Sequence, residues 1–220
     1  MTSKIKLLIF SGLAYSTCSF GQIVMPKIFN DNMVVQRDRP LKIWGSAGSG
    51  ESVQVSFHGQ ISKTVANREG KWEVTLKAMP YGGPFRMEIS GKKNKIEYDN
   101  VLLGDIWVCG GQSNMEFPIS GWTNVKNYKE EIANADYPEI RLFTVEKDIN
   151  TIPAAEIKGG KWEQCSPETI SPFSAVGYFF GRDLYKSLHI PIGLINSNWG
   201  GTDIESWISR SSLDTSEEFR

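Results

Sequence analysis

Histidine is scarce in this chain, whose 220 residues include only His58 and His189. Few side chains can therefore act as a general base near neutral pH. An excess of either charge is missing too. Lysine and arginine number 24 against 25 acidic residues, for a net charge of −1, and they form no basic cluster. That removes the electrostatic case for a nucleic-acid partner or an anionic membrane surface. The apolar run from Leu7 to Tyr15 is too short to span a bilayer, which needs about 20 residues. Cysteine is limited to Cys18, Cys109 and Cys165.

The first of those cysteines belongs to a stretch that reads as an address. Lys4 and Lys6 precede the apolar run, and small and polar residues follow it to Gly21. This is the layout of a secretory signal over residues 1–21, cleaved after Gly21. Lipid attachment at Cys18 competes with it, but Tyr15-Ser16-Thr17 is a poor context. The expectation is an exported protein, periplasmic or extracellular, without a membrane span. Cleavage leaves Cys109 and Cys165, which can bridge in an oxidising compartment only if their Cα separation allows it. A 40% hydrophobic content over the remaining length suits one ordinary domain plus a smaller one. Seven Trp and seven Tyr would suit stacking on sugar rings, although aromatics more often build cores.

Residues 22–99 read as all-β. Val53, Val55 and Phe57 alternate with polar residues, as do Trp72, Val74 and Leu76, and then Phe85, Met87 and Ile89. Glycine-containing turns at 47–50, 67–70 and 81–84 separate them. A small antiparallel β-sandwich is expected here. Residues 100–220 change pattern. A strand ending near Cys109, a helix at 128–135, a strand at 140–145, a helix from Ala175 and a strand at 192–195 imply a parallel sheet with crossover helices. Val176, Phe180, Leu184 and Leu188 fall four apart, giving the second helix its apolar face, and Ser174 caps it. The fold class is thus α/β: a small sandwich followed by an incomplete parallel-sheet domain.

The first strand of that sheet runs into Gly110-Gly111-Gln112-Ser113-Asn114-Met115. A serine in a glycine-rich turn just past a strand is where a hydrolytic α/β enzyme exposes its nucleophile. The pentapeptide Gly-x-Ser-x-Gly is absent, however, because Met115 stands at the second glycine. Gln112 and Asn114 offer amides to support the turn or a substrate. The strand at 192–195 runs into Asn196-Ser197-Asn198-Trp199-Gly200-Gly201-Thr202, a second glycine turn at a carboxyl strand end. Sites in open parallel sheets form at that edge. Backbone N–H groups of Ser113 and of Gly200 or Gly201 are therefore candidates for holding an oxyanion.

These segments, with Gly177-Tyr178-Phe179-Phe180-Gly181-Arg182, Met33-Val34-Val35-Gln36-Arg37 and Lys161 to Pro167, resemble sialate O-acetylesterases, of the SGNH hydrolase group. The resemblance covers nearly the whole chain after Gly21. It implies a serine esterase that removes O-acetyl groups from sialic acids or related sugars, with Ser113 as nucleophile. It implies an oxyanion-hole glycine at Gly200 or Gly201, with a slight preference for Gly201, and no metal or organic cofactor.

The family's catalytic His lies in an Asp-x-x-His block that has no counterpart up to Arg220. His58 belongs to the sandwich, and His189 precedes the strand at 192–195, at the wrong end for Ser113. The expectation is the nucleophile-bearing part of a longer protein, with little or no esterase activity on its own. Alternatives are an acetylxylan-type polysaccharide deacetylase and a non-catalytic carbohydrate-binding protein.

Overall fold

A computed structural model describes residues 21–150 and 152–217. The expected signal segment, Cys18 included, lies outside the described residues except for Gly21. The alternations read from the sequence form strands. They are β1 (Val34–Gln36), β2 (Leu41–Ser46), β3 (Ser52–Phe57), β4 (Gln60–Val65), β5 (Lys71–Leu76), β6 (Gly82–Ser90) and β7 (Lys95–Gly111). In β3 and β5 every second residue is buried. The two-stranded sheet β2–β5 sends Ile43, Trp72 and Val74 into a core shared with Val55, Met87 and Leu103 of the larger sheet.

β7 is the organising element. Its first half pairs antiparallel with β6, its centre parallel with β1, and its second half parallel with β10 (Ile192–Asn198). β7 runs through residues 99 and 100, the expected boundary between the two domains. The larger sheet continues unbroken in the order β4-β3-β6-β7-β10-β8-β9, with β8 at Tyr137–Thr144 and β9 at Trp162–Cys165. The strands β7, β10 and β8 are mutually parallel, and β9 is antiparallel to β8. The alternation of Ile96 and Tyr98 with charged neighbours was a readable signal for the early start of β7.

Buried polar contacts tie the two halves together. Arg141, 3% exposed, donates to the carbonyls of Asn32 and Pro138 at 3.0 and 2.7 Å and to Asn100 Oδ1 at 3.0 Å. Burial pulls its guanidinium down to about 10. Arg37 grips Asp105 through two N–H groups at 2.9 and 3.1 Å, and Gln36 donates to the same carboxylate. The Met33 to Arg37 segment thus seats the start of the parallel part of β7.

Four α-helices, α1 (Ser113–Glu116), α2 (Tyr128–Ala133), α3 (Ala175–Leu188) and α4 (Arg210–Leu213), and a 3-10 helix at Ile204–Trp207 complete the described chain. Ser174 caps α3 as expected, its Oγ accepting from the Gly177 N–H at 3.1 Å. Of the expected apolar face of α3, Leu184 packs against the core, but the rest does not. Val176, Phe180 and Leu188 are exposed, whereas Ala175, Gly177, Tyr178 and Gly181 are buried. Close approach to the sheet is the reason. A Cβ on Gly181 would lie 2.7 Å from Leu194 Cδ1, and one on Gly177 would lie 3.0 Å from Cys109 Sγ. Small residues mark the sheet-facing side here, and a count of large apolar residues overlooks them.

Candidate active site

Parallel pairing brings the two glycine turns side by side. The β7–β10 register runs from Ile192 opposite Asp105 to Asn198 opposite Gly111, so both strands end at the same sheet edge. Gly111 takes φ +147°, a value suited to glycine, and the chain turns into α1 with Ser113 as its first residue. The Trp199 N–H donates to the Gly111 carbonyl at 3.0 Å, clasping the second turn to the first. Asn198 Nδ2 donates to the Met115 carbonyl at 3.2 Å. The start of α3 braces the other side: the Ala175 N–H donates to the Phe117 carbonyl at 2.8 Å, and Ser174 Oγ lies 3.5 Å from Met115 Sδ.

Ser113 is exposed, and Gly200 packs against it. A Cβ built on Gly200 would lie 3.3 Å from Ser113 Oγ and 2.8 Å from Glu116 Oε2. Gly201, with φ +78°, would place a Cβ in open space. Of the two candidate glycines, Gly200 is therefore the one whose Cβ direction faces the serine. Its N–H donates to the Glu116 carboxylate, whose other oxygen accepts from Lys147 Nζ. The Lys147 hydrogen bond, opposed by partial burial and aided by the Gly200 N–H, holds the Glu116 carboxyl below its ordinary 4.5. The Lys147 ammonium also lies 5.4 Å from the centre of the Trp199 ring. Gln112 and Asn114 are exposed beside the serine.

Glu116, Lys147, Asn196 and Asn198 were given no role from the sequence. A carboxylate three residues after Ser113 in a helical turn, and two asparagines two apart at a strand end, are the signals that mark them. Neither histidine joins the group. His58 occupies the turn between β3 and β4, its ring 4.3 Å from that of Phe85. His189 caps α3 ahead of β10, roughly 20 Å of strand from the serine end. Among the described residues, no side chain hydrogen-bonds Ser113 Oγ. Cys109 and Cys165 are buried free thiols, not a disulfide; burial raises both, Cys165 to about 12.

The mixed α/β architecture is similar to that of a carbohydrate acetylesterase. The crystal structure of such an enzyme from Xanthomonas citri is 34% identical, superposes with a TM-score of 0.84, and shares 90% of this chain and 45% of its own. Residues 103–217 match the carbohydrate esterase family of sialic acid-specific acetylesterases, and the chain belongs to that family. It is 35% identical over 206 residues to the sialate O-acetylesterase of Homo sapiens and 35% identical over 202 residues to that of Mus musculus, at 84% and 83% of this chain. It spans 38% and 37% of the length of those two relatives.

Proposed function

We propose that this chain carries the nucleophile of an exported carbohydrate O-acetylesterase acting on acetyl esters of sialic acid or a related glycan. One observation carries the reading: Gly200 packs against Ser113 where two adjacent parallel strands end. Family membership supports the same chemistry. In the proposed reaction Ser113 Oγ attacks the acetyl carbonyl and gives its proton to a base. The tetrahedral oxyanion collapses, the base returns the proton to the departing sugar oxygen, and water, deprotonated by the same base, then releases acetate from the acetyl-serine and restores its hydroxyl. Backbone N–H groups of Ser113 and Gly200 are the proposed oxyanion donors, that of Gly200 once it leaves the Glu116 carboxylate, with Gly201 the alternative to Gly200. Gln112 and Asn114 support the turn or the substrate.

The base lies outside this chain in the proposal. The N-terminal strands act as a small sandwich that seats β7, and the parallel part is the start of an SGNH-type sheet. Acetyl-ester turnover measured on the 220-residue chain tests the division of labour. Little or no turnover is expected. Robust turnover abolished by Ser113→Ala would place the base within this chain and contradict the division.

A further inference from the structure

The Glu116 side chain that reaches Gly200 also lines a cleft of about 320 Å³. Pro118, Trp122, Thr144, Asn196 and Asn198 contribute to its walls. Trp122 is 69% exposed, unusual for the largest side chain, which is normally well covered. It is nonetheless braced. Its ring meets that of Phe117 edge-on, with centroids 5.8 Å apart, and the Gly121 N–H donates to the Thr123 carbonyl at 2.9 Å beneath it. Much of the indole therefore faces solvent in a fixed frame at the rim of a concavity.

The polar groups of the cleft suit hydroxyls better than charge. Asn196, only 7% exposed, accepts from Asn198 through its Oδ1. Its Nδ2 has no hydrogen-bond acceptor among the described residues. The ionisable lining is Glu116, Glu146 and Lys147, and Lys147 is already bonded to Glu116. A bound carboxylate would meet two like charges and a cation already engaged. A volume near the lower end of ligand pockets fits one ring, the further units of a chain lying outside the cleft.

We propose that this cleft is a subsite for a neutral pyranose ring, with Trp122 as its stacking surface and Asn196 as a donor to ring hydroxyls. The proposal rests on the sugar-ester reading and chooses among its substrates: the unit in the cleft carries no carboxylate. A pyranose presents C–H groups on its faces and hydroxyls around its edge. The indole offers an apolar, electron-rich surface to the first, and the buried amide serves the second. A ring held there lies across Glu116 from Ser113.

Calorimetric titration of the 220-residue chain with xylotriose and with N-acetylneuraminic acid tests it. Xylotriose should bind, Trp122→Ala should weaken it by about tenfold or more, and Trp122→Phe should keep most of the affinity. N-Acetylneuraminic acid should bind at least about tenfold more weakly than xylotriose. No binding of xylotriose, equal affinity in Trp122→Ala, or equal affinity for the acid would each overturn the proposal. Ser113→Ala should leave xylotriose binding intact, so a wrong role for the serine and a wrong subsite give different results.

Discussion

The Gly200 backbone N–H donates to the Glu116 carboxylate, joining residues 84 apart in sequence across the mouth of the candidate site. Glu116 also accepts from Lys147, so one side chain links the serine turn, the glycine turn and the loop after β8. While this bond holds, the Gly200 N–H is committed to a carboxylate and the glycine turn is pinned over Ser113. Glu116 is thus a positioning residue for the glycine turn, and the Gly200 N–H can serve an oxyanion only when this bond opens.

The pinning should respond to acid. The folded-state carboxyl of Glu116 lies below its ordinary 4.5, so its contribution is present above that value and is lost as pH falls through the lower, folded one. Hydrogen-exchange protection of the Gly200 amide should be steady above pH about 5 and should decline below about 4.5. Glu116→Ala should show the low protection at every pH. Protection in Glu116→Ala equal to that of the parent would mean the bond does not hold the turn.

The adjacent glycines should behave differently on substitution. Gly200→Ala places a methyl against Glu116 and Ser113, so it should shift the NMR resonances of both residues. Gly201→Ala meets no atom within 4 Å but forces an alanine to φ +78°. It should cost about 1 kcal/mol in urea unfolding and leave the Ser113 and Glu116 resonances in place. A reversal of this pattern would shift the proposed oxyanion donor to Gly201.

Much of this arrangement was legible in the sequence. Period-two alternation fixed β3, β5 and β6, because their outer faces are solvated. The serine and glycine turns stood out because glycine and polar residues directly follow apolar strands. The buried face of α3 was not legible from its large apolar residues. Gly177 and Gly181 carry that contact, and Phe180 instead packs edge-on against Trp107 near the surface, 5.0 Å between ring centres. The Glu116–Gly200 bond was out of reach for a different reason. It depends on the register of β7 and β10, which composition does not specify.

Arg141 gives a stability test of the join between the halves. Removing its guanidinium leaves the carbonyls of the half-buried Asn32 and the exposed Pro138 without this donor. A hydrogen bond contributes about 0.5–1.5 kcal/mol net, so losing those of Arg141 in Arg141→Met should lower unfolding stability by about 1–3 kcal/mol. Arg141→Lys should restore little, because an ammonium lacks the planar spread of donors that reaches three partners. A loss below about 0.5 kcal/mol in Arg141→Met would show that other contacts hold the halves together.

The central claim is that Ser113 is a nucleophile whose base lies outside this chain. Labelling with a serine-reactive organophosphorus probe, followed by peptide mass mapping, tests it most directly when the 220-residue chain is compared with a longer gene product spanning the length of its relatives. The account predicts rapid labelling at Ser113 in the longer form, lost in Ser113→Ala, and slow or absent labelling in the 220-residue chain. Equal rapid labelling of both forms, or labelling of the longer form at another serine, would contradict it.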